Sequence, residues 1–314
     1  MNDARLDHRQ LLAALSREQR RALTEKSDRP GLVRLCAHFG SIAGLGLLIA
    51  ARAPLWPLLV PVQGILIVFL FTLEHETIHG TAFRTGWLNQ RVAQICGFLI
   101  AIPAVWFRYF HFAHHRHTQD PKRDPELAAP KPESLGGYVV HVSGLPLWWS
   151  LATTLARHAA GRVEGEFVPG NARVRVVREA RVTLVLYGAL AGLSVAAGSG
   201  VLLFIWVIPV LVGQPFLRLY LLAEHGRCPF VANMLENTRT TYTNRLVRWI
   251  AWNMPYHAEH HAYPAVPFHK LPHFHALARA HLKVTENGYR RFHARYVGGF
   301  RGSGDGGRAA DVRD

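Results

Sequence analysis

Long uncharged stretches constrain the fold of this 314-residue chain more than any other feature of its sequence. The longest begins at Val182 and runs for about forty nearly continuous apolar residues, broken only at Gly198-Ser199-Gly200, where glycine favours a tight turn. Because a helix needs roughly twenty apolar residues to cross a hydrocarbon core, this stretch is long enough for two crossings. The sequence therefore predicts an all-α polytopic membrane protein with four transmembrane helices in two hairpins, at residues 35–51, 55–74, 182–198 and 201–222.

Two shorter apolar stretches, residues 92–107 and 138–155, are predicted to enter the membrane surface without crossing it. The first offers about fifteen apolar residues, fewer than a crossing needs, and Pro103 interrupts it. The second carries Trp148 and Trp149, which favour the boundary between lipid head groups and hydrocarbon. Both stretches are therefore expected to be re-entrant or interfacial helices.

Basic residues near the predicted spans indicate the orientation. Residues 1–34 contain eight Lys or Arg, whereas the two short hairpin turns offer only Arg52. The positive-inside tendency therefore predicts that both termini are cytoplasmic. We expect residues 1–34 to form a basic N-terminal segment, residues 35–275 the membrane domain, and residues 276–314 a polar, partly disordered tail. The charged N-terminus lacks the apolar core of a cleavable signal peptide, so none is expected.

The formal net charge of +15 would suit a nucleic-acid partner, but a membrane explains it better. Basic flanks beside anionic lipid account for much of this charge, so we expect no nucleic acid partner. A basic cytoplasmic face would also attract an acidic electron carrier. Cys36, Cys96 and Cys228 have no paired spacing, so neither a disulfide framework nor a thiolate metal site is indicated.

Three histidine clusters have spacings that suit metal binding. Within each cluster, histidines lie three or four residues apart, so a helix would align them on one face. Eight aligned imidazoles are too many for one ion, which indicates a pair of metals. The clusters are His75-Glu76-Thr77-Ile78-His79, His111-Phe112-Ala113-His114-His115 and His257-Ala258-Glu259-His260-His261.

The helical rise places these clusters at one membrane surface. A helix that starts at residue 55 and rises about 1.5 Å per residue crosses a core of about 30 Å by His75. The fourth span leaves the membrane near Ala223, shortly before His225, which becomes a ninth candidate ligand. If residues 92–107 crossed, the first two clusters would lie on opposite sides of the bilayer. We therefore predict a histidine-rich cap on the cytoplasmic side.

Two other functions compete for the same histidines. His75-Glu76-x-x-His79 matches the zincin motif, in which two histidines hold zinc and the glutamate acts as base, so a zinc intramembrane metalloprotease is an alternative. That alternative leaves both His-x-x-His-His clusters without a role. A metal transporter would need ionisable residues deep in its spans, and the predicted spans contain almost none.

The remaining histidines are predicted to lie outside the site. Those in isolated positions are expected on solvated or interfacial faces, and these are His8, His38, His141, His158, His281 and His293. Prolines interrupt any single helix that would align the next three, which are His269, His273 and His275. His117 follows the second cluster by two residues and would point away from its face.

The type and order of the clusters, together with the apolar pairs between them, resemble the membrane fatty acid desaturase and hydroxylase superfamily from about Leu55 to His275. The most specific segments are His111-Phe112-Ala113-His114-His115-Arg116-His117-Thr118 with the following Asp120-Pro121 and Asp124-Pro125, typical of a bacterial desaturase-like branch, and Asn253-Met254-Pro255-Tyr256-His257-Ala258-Glu259-His260-His261-Ala262-Tyr263-Pro264. In that family the boxes hold two non-haem irons. The ligands implied here are His75, His79, His111, His114, His115, His225, His257, His260 and His261.

The resemblance implies an O₂-dependent desaturase of fatty acyl or related lipid chains in the bacterial inner membrane. A hydroxylase or ketolase acting on an alkyl or isoprenoid substrate is the alternative within the same chemistry. The sequence contains no His-Pro-Gly-Gly haem motif, so electrons are expected from a separate donor such as ferredoxin or a reductase. One departure concerns an asparagine that stearoyl-type desaturases carry one turn before the extra histidine, since Leu221 stands at that position.

Several polar residues near the boxes are candidates for orienting the ligands. Carboxylates commonly bind the distal ring nitrogen of a metal-bound histidine and fix its orientation. The candidates are Glu76, Asp120, Asp124, Glu224, Asn253 and Glu259.

Overall fold

The computed structural model describes residues 5–302, so residues 1–4 of the predicted N-terminal segment and 303–314 of the predicted tail lie outside the described residues. The first ten helices are α1 (His8–Ala14), α2 (Arg17–Thr24), α3 (Asp28–Ala50), α4 (Trp56–Val68), α5 (Leu70–Ile78), α6 (Gly86–Ile100), α7 (Ala104–His117), α8 (Leu135–Ser143), α9 (Leu145–Ala159) and α10 (Gly170–Ala196). They are followed by α11 (Ile208–His225), α12 (Met234–Asn237), β1 (Thr240–Tyr242), α13 (Arg245–Ile250), α14 (His257–Ala262), α15 (Leu271–Ala278), β2 (Thr285–Asn287) and α16 (Tyr289–Gly302). A 3-10 turn spans Pro125–Ala128, and a π-helical turn spans Leu203–Val207.

Within residues 5–302, four helical segments are long and apolar enough to cross a membrane, which confirms the predicted spans. They are Arg17–Ala50, Trp56–Ile78, Gly170–Ala196 and Leu203–His225. Two of them begin before the apolar run: α3 starts at Asp28 and α10 at Gly170. The first turns of α10 are rich in arginine, so this part of the helix extends the span into the polar zone beyond the hydrocarbon core.

The second and fourth spans pack backbone against backbone where two glycines meet. A Cβ atom added at Gly64 would lie 2.2 Å from the Pro209 carbonyl oxygen, and one added at Gly213 would lie 2.4 Å from the Gly64 carbonyl carbon. Small residues at a crossing let two membrane helices approach this closely. Gln63 Nε2 adds a bond of 3.0 Å to the carbonyl of Ile205, which lies in the π-helical turn. The contact fixes α4 and α5 against α11.

The stretch between the first two histidine clusters is re-entrant, as predicted. Helices α6 and α7 meet at an angle of 98° across a short break in which Ala101 has a φ of +60°. Glu179 of α10 accepts a bond from the Val105 amide and so satisfies a free N–H at the start of α7. His79 Nε2 before this stretch and His111 Nε2 near its end are 2.9 Å apart. The chain therefore returns to the surface at which it entered.

Helices α8 and α9 form a second non-crossing pair, joined at Gly144, whose φ is +74°. Arg218 of α11 donates to the His141 ring on α8 at 3.0 Å. Helix α8 packs on α11 and helix α9 on α10, while the 3-10 turn lies beside the end of α7 that carries His114. At 9 and 15 residues, each of these helices is shorter than a membrane crossing needs.

The third cluster lies in a cap that α12 to α16 build with the two strands. Strands β1 and β2 pair in parallel, so the cap departs from the purely helical prediction by two three-residue strands. Trp252, Phe268 and Phe274 are fully buried in its core. Phe292 and Tyr296 of α16 pack against α11, so the described part of the predicted tail is an ordered strand and helix from Thr285 onward.

Two isolated histidines are not on solvated or interfacial faces, contrary to the prediction. His38 is fully buried, where its Nε2 bonds the Leu66 carbonyl at 2.9 Å and its Nδ1 accepts from Trp252 Nε1 at 3.2 Å. His158 is also buried and lies against Trp106. The sequence pattern could not show this burial because the partners lie far away along the chain.

Candidate metal centre

Nine histidines from four helix ends converge on one place in the molecule. The C-terminal ends of α5, α7 and α11 bring the first two clusters and His225 together, and the short helix α14 places the third cluster over them. Seven of the nine side chains are buried, whereas His79 and His115 are partly exposed. The nine are the residues that the sequence singled out, and the fold unites three boxes separated by more than thirty residues each.

Five of these histidines form what we call the first group, in which one ring nitrogen of each lies within 4.8 Å of the others. The His79 and His111 Nε2 atoms are 2.9 Å apart. The ring of His75 lies centrally, with its centroid 4.2 Å from that of His111 and 4.5 Å from that of His260. The members are His75, His79, His111, His115 and His260.

Four further histidines form the second group. The ring nitrogens of His114, His225 and His261 lie within 4.8 Å of one another. The His225 Nε2 atom is 3.2 Å from His114 Nε2 and also 3.2 Å from His257 Nε2, so His257 belongs to the same group. The groups adjoin each other because the His115 and His261 rings stack at 4.0 Å.

These distances and contacts fit metal binding. Two imidazole nitrogens each about 2.0–2.1 Å from one ion are about 2.8–3.0 Å apart at a right angle and about 3.3–3.4 Å apart at the tetrahedral angle. The contacts of 2.9 and 3.2 Å fall in this range. Within residues 5–302, both ring nitrogens of His75 and of His260 lack a hydrogen-bond partner although they are buried. Buried imidazoles without partners are costly unless they bind an ion, so the two groups can hold metal ions.

Burial also keeps most of these histidines in the state that a metal requires. Desolvation, followed by the charge of Arg108, lowers the pKa of His79 to about 3. Desolvation lowers the pKa of His257, His260 and His261 well below the usual range, and neighbouring histidines add to the effect. These rings are therefore neutral near pH 7, and a neutral imidazole has a lone pair to offer. His114 differs, because burial alone would lower its pKa but the Glu126 and Asp124 carboxylates raise it.

Four polar groups contact the distal nitrogens of the second group. Asp124 Oδ1 accepts from His114 Nδ1 at 2.9 Å, and the Asn237 carbonyl lies 3.3 Å from His225 Nδ1. Thr118 Oγ1 lies 3.1 Å from His261 Nδ1, and Glu224 Oε1 lies 3.4 Å from His257 Nδ1. Contacts of this kind fix the tautomer and direct Nε2 toward a metal. Of the candidate orienting residues, Asp124 thus bonds a ring nitrogen of the site, whereas Glu224 only lies near one, because His257 Nδ1 has no hydrogen-bond partner within the described residues.

The other candidate orienting residues make contacts elsewhere. Glu76 accepts from the Phe268 amide at 2.8 Å and Asn253 donates to the Phe268 carbonyl at 2.9 Å, so together they clamp the cap loop. Glu259 accepts from His275 and from Thr240, both within the cap. Asp120 pairs with Arg123 at the surface. In the described part of the chain, no hydrogen bond joins these four to the nine histidines.

One carboxylate at the site was not found by sequence reasoning. Glu126 Oε2 lies 3.2 Å from His114 Nε2, the nitrogen that faces the rest of the second group. Its only sequence signal is its position two residues after Asp124, across Pro125. Neither residue spacing nor helix periodicity connects Glu126 with the boxes, because it lies in the 3-10 turn.

Comparison with known proteins identifies the family. Residues 53–294 match the model of the fatty acid desaturase family, which is more than half of the chain. The chain belongs to this family. Its members among curated proteins include an omega-6 fatty acid desaturase of the endoplasmic reticulum from Brassica juncea, 26% identical over 193 residues that cover 54% of this chain and 50% of that protein.

Two further relatives cover more of the chain. An sn-1 acyl-lipid omega-3 desaturase (ferredoxin) from Synechocystis is 25% identical and covers 81% of this chain and 77% of that protein. Beta-carotene 4-ketolase 3 from Haematococcus lacustris is 24% identical, and the match covers 65% of this chain and 57% of that protein. The chain spans about half the length of the plant desaturases that it matches. The family predicted from the three boxes is thus confirmed, at low identity to each relative.

Proposed function

We propose that this protein is a membrane oxidoreductase that uses two irons and O₂ to desaturate a fatty acyl or related lipid chain at the cytoplasmic face of a bacterial inner membrane. The single observation that carries the proposal is the convergence of nine histidines into two adjoining groups at ligand distances. Family membership supports the desaturase class. Both termini would lie in the cytoplasm, beside the basic residues of the N-terminal segment.

The donor set alone does not select the metal. Imidazole nitrogens suit zinc, copper and nickel as well as iron. Zinc has no redox chemistry, so a desaturase needs a redox-active metal, and family membership supports iron among these. When bound, two irons would supply the activation of O₂ and the removal of hydrogen from an unactivated carbon.

The overall reaction requires electrons and protons from outside the lipid. Desaturation converts –CH₂–CH₂– to –CH=CH– while O₂, two electrons and two protons yield two water molecules. The electron donor would be a separate protein such as ferredoxin or a reductase, and the name of the Synechocystis relative includes ferredoxin. The formal charge of +15 favours an acidic donor.

A cavity of about 740 Å³ beside the second group supports a substrate with a polar head and an apolar chain. Its apolar wall includes Trp106, Phe110 and Phe167, and it reaches Asp124, the partner of His114. Its polar wall carries five basic side chains, Arg116, Lys122, Arg123, Arg157 and Arg162, and three acidic ones, Asp124, Glu164 and Glu166. The excess of basic over acidic side chains beside an aromatic wall favours an acyl chain with an anionic head over a neutral isoprenoid.

The geometry argues against the zinc protease. In that mechanism Glu76 would act as base beside the metal-bound water. Its Oε1 instead accepts a hydrogen bond from the Phe268 amide, and His114, His225, His257 and His261 would have no role. A hydroxylase or ketolase would use the same two histidine groups, and one relative is named as a ketolase. Analysis of the membrane lipids distinguishes these activities from desaturation.

Lipid analysis after expression tests the proposal. The protein would be expressed in a bacterium together with a ferredoxin and its reductase, and the membrane lipids analysed by mass spectrometry. We expect acyl chains that have lost two hydrogens. A gain of one oxygen would indicate the hydroxylase or ketolase instead, and unchanged lipids with free peptide products would indicate the protease.

Matched histidine variants show whether the product depends on the site. His260→Ala removes a buried member of the first group, whereas His273→Ala removes an exposed histidine of the same cap. The first variant should form no product and bind less iron, while the second should behave as the parent protein. Equal product from both variants would remove His260 from the site.

A further inference from the structure

Glu126 occupies a position that a metal ligand would take. It follows Pro125 in the 3-10 turn after α7, and its Oε2 lies 3.2 Å from His114 Nε2. That same nitrogen lies 3.2 Å from His225 Nε2. The carboxylate oxygen is therefore as close to the inward-facing nitrogen of His114 as another member of the second group is.

The positions of the ring protons on His114 and His225 bring several lone pairs close together. Asp124 can only accept, so its bond of 2.9 Å to His114 Nδ1 places a proton on that nitrogen and leaves Nε2 bare in the neutral ring. The Asn237 carbonyl at 3.3 Å does the same for His225 Nδ1. His114 Nε2 therefore has two neighbouring acceptors at 3.2 Å, the Nε2 atom of His225 and the Oε2 atom of Glu126. Such acceptors repel one another unless a proton or a metal ion lies between them.

The surroundings of Glu126 leave one oxygen free for such a cation. Lys131 Nζ bonds Oε1 at 2.5 Å and so occupies the other oxygen. Asp124 Oδ1 accepts from the Glu126 backbone amide at 3.0 Å while it also holds His114. A single carboxylate thus orients both the histidine and the backbone of the glutamate, and Pro125 between them restricts the backbone.

We propose that Glu126 is an oxygen ligand of the metal held by the second group, so that this ion has a mixed nitrogen and carboxylate shell. The first group offers nitrogen alone. This inference rests on the proposed metal binding and deepens it, because it makes the two metals chemically different. Leu221 cannot supply a polar group where the resembling desaturases have asparagine, and Glu126 would fill the shell from a different element.

Metal counting and Mössbauer spectroscopy test the role of Glu126 without relying on turnover. The full-length protein would be loaded with ⁵⁷Fe, and Glu126→Gln compared with Glu133→Gln, which makes the same charge change at an exposed residue of the same connection. We expect Glu126→Gln to lose one of two irons after a chelator wash and to lose or shift one quadrupole doublet. The Glu133 variant should keep both irons and an unchanged spectrum.

Two bound irons and an unchanged spectrum in Glu126→Gln would overturn the proposal, because Glu126 would then only pair with a protonated His114. If that variant does not fold, Glu126→His offers a second test: it should retain two irons with one altered doublet, and two unaltered doublets would contradict the proposal. A failure of the Glu126 proposal can be distinguished from a failure of the proposed function. Parent protein that holds zinc in place of iron would refute the oxidoreductase, whereas zinc counting on the same variants would still show whether Glu126 is a ligand.

Discussion

The inner and outer spans differ in what they contact. The protein buries 56% of the most apolar stretch of Trp56–Ile78 and 39% of that of Leu203–His225, against 17% for Arg17–Ala50 and 11% for Gly170–Ala196. The inner pair ends in His75 and His225, whereas the outer pair presents apolar side chains to lipid. The site is therefore built on the two spans that the rest of the protein holds most firmly.

This difference depends on small and polar residues, which hydropathy alone does not distinguish. Gly64 and Gly213 let the inner spans touch, whereas a Cβ added at Gly188 or Gly192 in the outer α10 would meet nothing within 4 Å. Rigid support matters because metal ligands must be held within a fraction of an ångström of the bound geometry. Two of the four apolar runs thus support the site, and the other two mainly contact lipid.

The largest effect is expected from a histidine at the end of an inner span compared with one in an outer span. His225→Ala should abolish turnover and remove one metal, because it deletes a nitrogen that faces other nitrogens. His38→Ala in α3 should keep both metals but unfold at lower temperature, since it removes bonds to Leu66 and Trp252 and leaves a cavity costing about 2–4 kcal/mol. Metal analysis and thermal unfolding in detergent measure the metal content and the stability of both variants. Loss of metal from His38→Ala but not from His225→Ala would contradict the prediction.

The glycine contact provides the second test. Gly64→Leu should destabilise the protein by about 1–3 kcal/mol or more, because its Cβ would collide with the Pro209 carbonyl oxygen. Gly188→Leu, on the outer α10, should not destabilise the protein, because its Cβ would meet open space and leucine is the better helix former. Thermal unfolding of both variants in the same detergent gives the difference. Equal stability of the two would show that the inner contact does not support the site.

A smaller effect is expected from the carboxylate behind His114. Asp124→Asn keeps the shape but weakens the bond that orients His114, so metal affinity should fall about 10–100-fold. Asp120→Asn changes a nearby surface residue that pairs with Arg123, and its affinity should stay within twofold of the parent. Competition with a chelator of known affinity measures both. A larger loss in the Asp120 variant would contradict the geometry.

The smallest predicted effect concerns pH and the contact of α8 with the inner span. Burial, followed by the charges of Arg218 and Lys131, lowers the pKa of His141 to about 3. Between about pH 3 and 6.5, the unfolded chain therefore binds a proton that the folded protein does not, so stability falls as the pH is lowered through this window. His141→Asn should reduce that fall by up to about 1 kcal/mol per pH unit. Thermal unfolding at pH 7.5 and 5.5 measures the slope, and an unchanged slope would mean that His141 is solvated.

The sequence predicted the spans and the nine histidines because both signals are local. Apolar runs reveal hydrocarbon crossings, and a spacing of three or four residues reveals one face of a helix. The division into two groups was not predicted, since it depends on how α14 meets α7. Within the third cluster, His260 joins the first group while His257 and His261 join the second.

The contacts that the sequence did not reveal join residues far apart in the chain or in irregular turns. His38 bonds Trp252, 214 positions away, and no periodic pattern connects them. Glu126 reaches the second group from a 3-10 turn whose direction is set by Pro125 and Asp124. Candidates such as Asp120 and Glu259 are near the boxes in sequence, but their side chains bond Arg123 and His275. Proximity in sequence was therefore a poor guide to which carboxylates orient the ligands.

The most direct test of the metal centre is to determine which metals the parent protein holds, and how many of each. Protein purified from iron-replete cells, without added chelator, would be analysed for all first-row transition metals per polypeptide chain. Two irons per chain are predicted, falling when either His260 or His225 is replaced by alanine. One zinc per chain that survives the loss of His225, or a chain that binds no metal while it still desaturates lipid, would contradict the central claim.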